Sequence, residues 1–293
     1  MKTVRIGLWK CLLGTAALFC AAAAGAQPYQ FRVVARDLRR PVGIAVESDQ
    51  TLLFTQVPTP GIMGGANGVF RLDLASGDVT ILHVGEPEPL NLALDAEGDA
   101  YWTCRTAGVI LKQNSAGQTT LFLSGLEKPT GIAVDRTGLV YFTEVPNPGV
   151  AMAGNRVSVS DGSTTQILHM GEPEPTDVVV SKKGEIYWTC KSAGVILEQV
   201  GGETRVLLSG LDHPSGIALD KNGKNLYFTE VPTPGVAGNA GGRNRVWRLD
   251  LKTGAQTLVH FGDPEPTDVA VAHNGNVYWT CTSAGVIVEA SPN

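Results

Sequence analysis

Oxygen-bearing side chains recur beside proline at fixed places in this 293-residue sequence. The phrase His-x-Gly-[Glu/Asp]-Pro-Glu-Pro occurs at residues 83–89, 169–175 and 260–266, and the second residue after each copy is Asn91, Asp177 or Asp268. Hard oxygen donors converging on one mouth suit Ca²⁺ or Mg²⁺, so these three are candidate metal ligands. Glu88, Glu174 and Glu265, three residues earlier, are candidate ligand-binding residues. So are Gln56, Glu144 and Glu230, which belong to a second repeated phrase. The competing reading is that Asn and Asp cap turns through side-chain-to-backbone bonds and that the acids keep the rim soluble. No Ser-His-Asp order, phosphate loop or nucleophile elbow accompanies them, and no catalytic residue is assigned.

The elements that position these residues are repeats. Tyr-Trp-Thr-Cys occurs three times, ending at Cys104, Cys190 and Cys281, and Ala-Gly-Val-Ile follows each copy after two further residues. Between these copies runs Phe-Thr-[Gln/Glu]-Val-Pro, at residues 54–58, 142–146 and 228–232. Each long period therefore splits in two, and six units fill the chain beyond residue 26. A unit opens on Pro-x-Gly-Ile-Ala (Pro41, Pro129, Pro214) or on Pro-x-[Asn/Asp] (Pro89, Pro175, Pro266). An apolar strand, a turn, the aromatic-Thr strand and two further strands complete it. The 35 glycines supply the turns, and helical periodicity is absent. The pattern predicts an all-β, six-bladed β-propeller of four-stranded blades, one domain over 27–293 with pseudo-threefold repetition of blade pairs. The last unit stops at Asn293 without a fourth strand, whereas residues 30–38 match one, so the N-terminal strand is expected to join the last blade and close the ring.

Residues 1–26 read as a secretory signal peptide. Lys2, Arg5 and Lys10 precede an apolar run from Cys11 to Ala23, and Ala24-Gly25-Ala26 supplies a small-residue exit with cleavage near Ala26. The run is too short for a membrane span, which implies a secreted or periplasmic chain. A hydrophobic content of 43% excludes disorder, and a net charge of −5 argues against a nucleic-acid partner.

Propeller geometry constrains the remaining reactive side chains. Equivalent second strands on alternate blades stand ~17 Å apart, given strand spacing of ~4.8 Å, whereas a disulfide needs Cα atoms within about 7 Å. Cys104, Cys190 and Cys281 are therefore expected to pack as small apolar residues between blades. His83, His169 and His260 end outer strands, which places them far from the axis and from the cysteines, in structural roles. Trp102, Trp188 and Trp279 are expected in the core.

These motifs resemble known propeller repeats. Tyr-Trp-Thr-Cys resembles the Tyr-Trp-Thr-Asp repeat of lipoprotein-receptor propellers, with Cys in place of Asp. Pro-x-Gly-Ile-Ala-Val-Asp with a Tyr-x-Thr-acid strand resembles the NHL repeat and is similar to the SMP-30/gluconolactonase superfamily, which includes metal-dependent lactonases. Phe-Thr-Glu is similar to repeats of the virginiamycin B lyase family, a seven-bladed relative. The resemblance spans residues 30–293 and implies the fold rather than one function, since these superfamilies hold enzymes, receptors and scaffolds. In the gluconolactonase family an Asn and an Asp at the middle of Pro-x-Gly ligate metal; here those positions are Val42, Thr130 and Ser215. That ligand set does not carry over, and no residue here matches the lyase's base.

The expectation is an exported, monomeric propeller that binds a small polar molecule, with Ca²⁺ or Mg²⁺ as candidate cofactor, at an acid-rich top face. A metal-dependent lactonase, hydrolase or lyase is one alternative, and a scaffold docking another protein is a second.

Overall fold

The structure, a computed structural model, describes residues 29–61, 67–149, 154–232 and 243–293. The expected signal peptide and parts of the loops after Gln56, Glu144 and Glu230 lie outside the described residues. The chain starts with β1 (Tyr29–Ala35). Blade 1 is then β2 (Pro41–Ser48), β3 (Thr51–Gln56), β4 (Gly68–Asp73) and β5 (Val79–Val84). Blade 2 is β6 (Pro89–Leu94), β7 (Ala100–Cys104), β8 (Val109–Gln113) and β9 (Thr119–Leu123). Blade 3 is β10 (Pro129–Val134), β11 (Val140–Glu144), β12 (Arg156–Ser160) and β13 (Thr165–Met170). Blade 4 is β14 (Pro175–Val180), β15 (Ile186–Cys190), β16 (Val195–Val200) and β17 (Glu203–Ser209). Blade 5 is β18 (Pro214–Leu219), β19 (Asn225–Glu230), β20 (Arg245–Asp250) and β21 (Gln256–Phe261). Blade 6 is β22 (Pro266–Val271), β23 (Val277–Cys281) and β24 (Val286–Pro292), and β1 supplies its outer strand. The pairing is antiparallel, with Phe31 opposite Ala290 and Val33 opposite Val288, so the ring closes as the sequence predicts. Each inner strand packs against the next, β22 against β2 included. Among the described residues no helix is long and apolar enough to cross a membrane.

Local chemistry explains the blade. The hairpin between β10 and β11 turns on Asp135, whose carboxylate accepts from Thr137 N at 2.8 Å and Leu139 N at 3.1 Å, while Gly138 takes φ 84°. In the second strand alternate side chains face opposite neighbours: Trp102 packs toward blade 1 and Tyr101 toward blade 3. One apolar cluster fills each of the six blade interfaces, and these clusters are the core. Trp102, Trp188, Trp279, Tyr278, Phe54, Phe142 and Phe228 are its fully buried aromatics.

The threonine of each second strand stitches the ring near the axis. Inner strands slip register just after their first proline, for example between Pro129 and Ile132, and this slip frees a backbone N–H. Thr143 Oγ1 accepts from Gly131 N at 2.8 Å and donates to Thr176 O of the next blade at 3.3 Å. Thr55, Thr103, Thr189, Thr229 and Thr280 repeat the arrangement, with donations to Leu90, Thr130, Ser215, Thr267 and Val42 carbonyls. A neutral hydrogen bond contributes about 1 kcal/mol net, so the invariance of threonine across six units has a structural cause.

Candidate functional site

Position three of the inner strand faces the axis, and around the ring it reads Gly43, Asn91, Gly131, Asp177, Gly216, Asp268. The alternation is steric. A Cβ on Gly131 would lie 2.5 Å from Asp177 Cα, and one on Gly216 would lie 2.5 Å from Asp268 Cα. A Cβ on Gly43 would lie 2.4 Å from Leu90 O. Glycine in blades 1, 3 and 5 thus makes room for the three polar side chains of blades 2, 4 and 6.

Those three side chains meet. Asn91 Nδ2 donates to Asp177 Oδ1 at 2.7 Å, and Asp268 is close enough for its charge to act on the Asp177 carboxyl. Each also reaches the following blade: Asp177 Oδ2 accepts from Ile217 N at 2.9 Å and Asp268 Oδ2 from Ile44 N at 2.8 Å. Val178 N and Val269 N donate to the other oxygens, each at 2.8 Å. Both carboxyls are buried, and burial pushes both pKa values up, Asp268 to about 7. For Asp177 the neighbouring Asp268 charge adds to the effect of burial, and the backbone donors oppose it. Two buried carboxyls that act on each other resist ionising together.

Above this floor opens a cup of about 230 Å³. Its walls are the residues after the first proline of each blade: Val42, Leu90, Thr130, Thr176, Ser215 and Thr267. Arg105, Lys191, Glu174 and Val145 also line it. The mouth is therefore mixed in charge, a correction to the acid-rich face expected from sequence. Arg105 and Lys191 directly follow Cys104 and Cys190, while the third equivalent, Thr282, is buried and donates to Pro41 O at 2.6 Å. Sequence reading passed over the basic pair because they fall in the variable two residues of an otherwise repeated phrase. Their position one residue beyond the second strand was the available signal.

The glutamates at the loop ends separate. Glu174 lines the cup, and its carboxylate accepts from the Ser192 hydroxyl. Glu265 accepts from Ser283 in the same way. Glu88 lines a neighbouring groove with Lys128, accepts from Thr106 Oγ1 at 2.5 Å and pairs loosely with Arg105 at 3.5 Å. All three backbones are left-handed (φ 57°, 57° and 55°), and their carbonyls accept from Arg105 N, Lys191 N and Thr282 N. A left-handed non-glycine residue at each unit start costs backbone energy that this bond helps offset.

Gln56, Glu144 and Glu230 sit buried inside blades. Glu144 Oε1 accepts from Glu127 N at 2.7 Å, and its carboxylate takes a fork from Arg156 at 2.5 and 2.8 Å. Glu230 accepts from Asp212 N at 2.7 Å, from Trp247 Nε1 at 2.7 Å and from Arg245 at 3.1 Å. Gln56 Oε1 accepts from Arg39 N at 2.5 Å. Their polar atoms face blade interiors and backbone, not the axial cup.

Among the described residues Cys104, Cys190 and Cys281 are unpaired and fully buried, and burial pushes the Cys104 thiol up to about 12 and raises Cys190 and Cys281 as well. The histidines pack against the tryptophans of the second strands. The His83 ring centre is 5.2 Å from that of Trp102, and Glu86 lies 3.4 Å from His83 while also acting on Cys104. His169, Glu172, Trp188 and Cys190 repeat the cluster, as do His260, Asp263, Trp279 and Cys281. Among the described residues no three His, Cys, Asp or Glu side chains are grouped to hold a metal.

The molecule is a six-bladed β-propeller with an axial polar cluster under a small cup. Comparison with known proteins agrees with that class. No family model matches the sequence. A low-density lipoprotein receptor-related protein 1 of Pyricularia oryzae is 27% identical over 276 residues, covering 79% of this chain and 84% of that protein. Mouse low-density lipoprotein receptor-related protein 5 is 33% identical over 106 residues, which are 33% of this chain and 6% of that one. Among solved structures, a nidogen/laminin complex superposes with TM-score 0.62 at 21% identity, covering 78% of this chain and 84% of its own. A streptogramin B lyase gives TM-score 0.64 at 18% identity, covering 90% and 98%. Virginiamycin B lyase from Staphylococcus aureus gives 0.60 at 19%, covering 90% and 88%. At such identities the structural likeness speaks to fold alone.

Proposed function

We propose that this propeller binds a small polar ligand in the axial cup, outside the cytoplasm, as a monomer released from its signal peptide. The observation that carries the reading is the cup itself: walls with four hydroxyl side chains standing over two buried carboxyls. Concave, pre-formed sites with a few convergent polar groups are the common form of a small-molecule site.

Asn91, Asp177 and Asp268 are also a donor set that fits Ca²⁺ or Mg²⁺. Two buried carboxyls that resist ionising together, and that form no ion pair with a basic side chain among the described residues, lack a counter-charge, which a divalent cation would supply. Bound there, it would polarise an oxygen of the ligand. The pH dependence follows from the raised pKa values. Without a cation the native pair binds more protons than the unfolded chain, whose Asp groups titrate near ~3.9. The stabilisation is full below that value and is lost as pH rises through the folded value of about 7.

Melting of the purified protein in Ca²⁺, Mg²⁺ and chelator is the test. The expected result is a cation-dependent rise in Tm that is larger at about pH 8 than at about pH 6 and absent in Asp268→Asn. Equal melting with and without cation at both pH values removes the cation and leaves the cup.

Docking of another protein at the same face is the second reading. Val84, Met170 and Phe261, exposed at equivalent ends of outer strands, support it, as do the names of the receptor-related and complex-forming relatives. A hydrolase or lyase activity would use the same cup, and incubation with lactones and esters, with and without Mg²⁺, reads it.

A further inference from the structure

We infer that the ligand of the axial cup is a small hydroxylated carboxylate, held by Arg105 and Lys191 at one side and by the carboxyl floor beneath; this rests on the cup being the binding site. The two cations break the threefold repetition of the mouth. They come from blades 2 and 4, and the equivalent residue of blade 6 is the buried, bonded Thr282. Arg105 is only partly spent on the protein, and Lys191 has no ion-pair partner among the described residues. The ion pair of Arg105 with Glu88 is long at 3.5 Å, and Arg105 Nε is buried with no acceptor among the described residues. Lys191 forms no ion pair among the described residues, although its side chain lines the cup. A guanidinium with a spare donor and an ammonium without an ion pair, both lining one cup from blades 2 and 4, suit an oxyanion that spans them.

The remaining charges select what else the ligand carries. Glu174, which accepts from Ser192, and the two floor carboxyls line the cup together with the two cations, so the cup presents groups of both signs. A carboxylate bearing hydroxyls presents its charge to Arg105 and Lys191 and further donors to the floor, whose oxygens each have a second lone pair. The threonine and serine hydroxyls of the wall serve either end. A cation at the floor would add to the attraction for the carboxylate, so the two readings reinforce each other.

The experiment is calorimetric titration of the full chain with tartrate and with its neutral diamide, in chelator and at matched ionic strength. Wild type is expected to bind tartrate and to bind the diamide about tenfold or more weakly, the value of a charge-assisted bond. Arg105→Gln with Lys191→Gln should remove this preference, while Lys221→Gln, on a turn in blade 5, keeps it. The melting temperature of each variant verifies folding. Equal affinity for tartrate and diamide, or tartrate binding unchanged in the double variant, overturns the anion assignment while leaving the cup as a binding site. If neither compound binds wild type, the assignment is overturned; if a broader panel of neutral polyols also fails, the reading of the cup falls with it.

Discussion

Two kinds of blade alternate around this ring, and they solve one problem differently. In blades 1, 3 and 5 the second strand ends in Gln56, Glu144 or Glu230, whose side chain reaches back to a backbone N–H of the preceding connection. In blades 2, 4 and 6 it ends in buried Cys104, Cys190 or Cys281, and the tie runs the other way, from a loop hydroxyl to Glu88, Glu174 or Glu265. Cross-strand register decides the details. Glu144 stands opposite Arg156 and Glu230 opposite Arg245, but Gln56 stands opposite Gly68. Gln56 therefore has no arginine across from it, and an amide suffices. The cysteines face Val109, Val195 and Val286 and belong to the apolar packing. What resembles a ring of reactive groups in sequence is a ring of inter-blade fasteners.

The strongest way to break the comparison is through the packing of a Cys blade. Trp188→Ala empties a fully buried site between blades 3 and 4 and should cost about 3–5 kcal/mol, read by urea denaturation. A loss below about 1 kcal/mol would show that the interface is not closely packed. A smaller effect is expected for the Gln/Glu blades. Glu144→Gln leaves the Arg156 guanidinium facing an amide and should cost about 1–3 kcal/mol. Gln56→Glu, by creating a charge with only Gly68 opposite, should also destabilise. If Gln56→Glu is neutral and Glu144→Gln costs the same amount, charge and not register governs the position. The smallest effect separates two Cys blades from each other. Trp279 Nε1 donates to Asp263 Oδ2 at 2.7 Å, whereas Trp188 Nε1 has no oxygen or nitrogen acceptor among the described residues and neighbours the Cys190 thiol. Trp279→Phe should cost about 1 kcal/mol more than Trp188→Phe, and equal costs would erase that distinction.

The architecture was legible in the sequence because each blade repeats its own punctuation: the opening proline, the hairpin turn, the aromatic-Thr strand. Closure was legible because residues 30–38 match the strand missing after Asn293. The axial trio could be placed by counting from the prolines, although the alternation of Gly43, Gly131 and Gly216 with it acquires its meaning from backbone separations across blades. Other features depend on register between strands far apart in sequence. Nothing local in Phe142-Thr143-Glu144 announces an arginine twelve residues on as its partner, and the linear phrase makes the carboxylate look available. Arg105 and Lys191 were hidden for the opposite reason, since attention to what repeats passes over the places where repetition stops.

The closing strand sets an order on the molecule's assembly. β1 leaves the ribosome before all six inner strands, yet its partner β24 emerges after them. Blades 1 to 5 hold all their strands in one continuous stretch of chain and can zip as neighbours, but the circle stays an open arc until β24 arrives. Until then the edges of blades 1 and 6 lack each other, and the axial cluster lacks Asp268. The cup is thus a late-born structure: the last blade to be synthesised completes its floor.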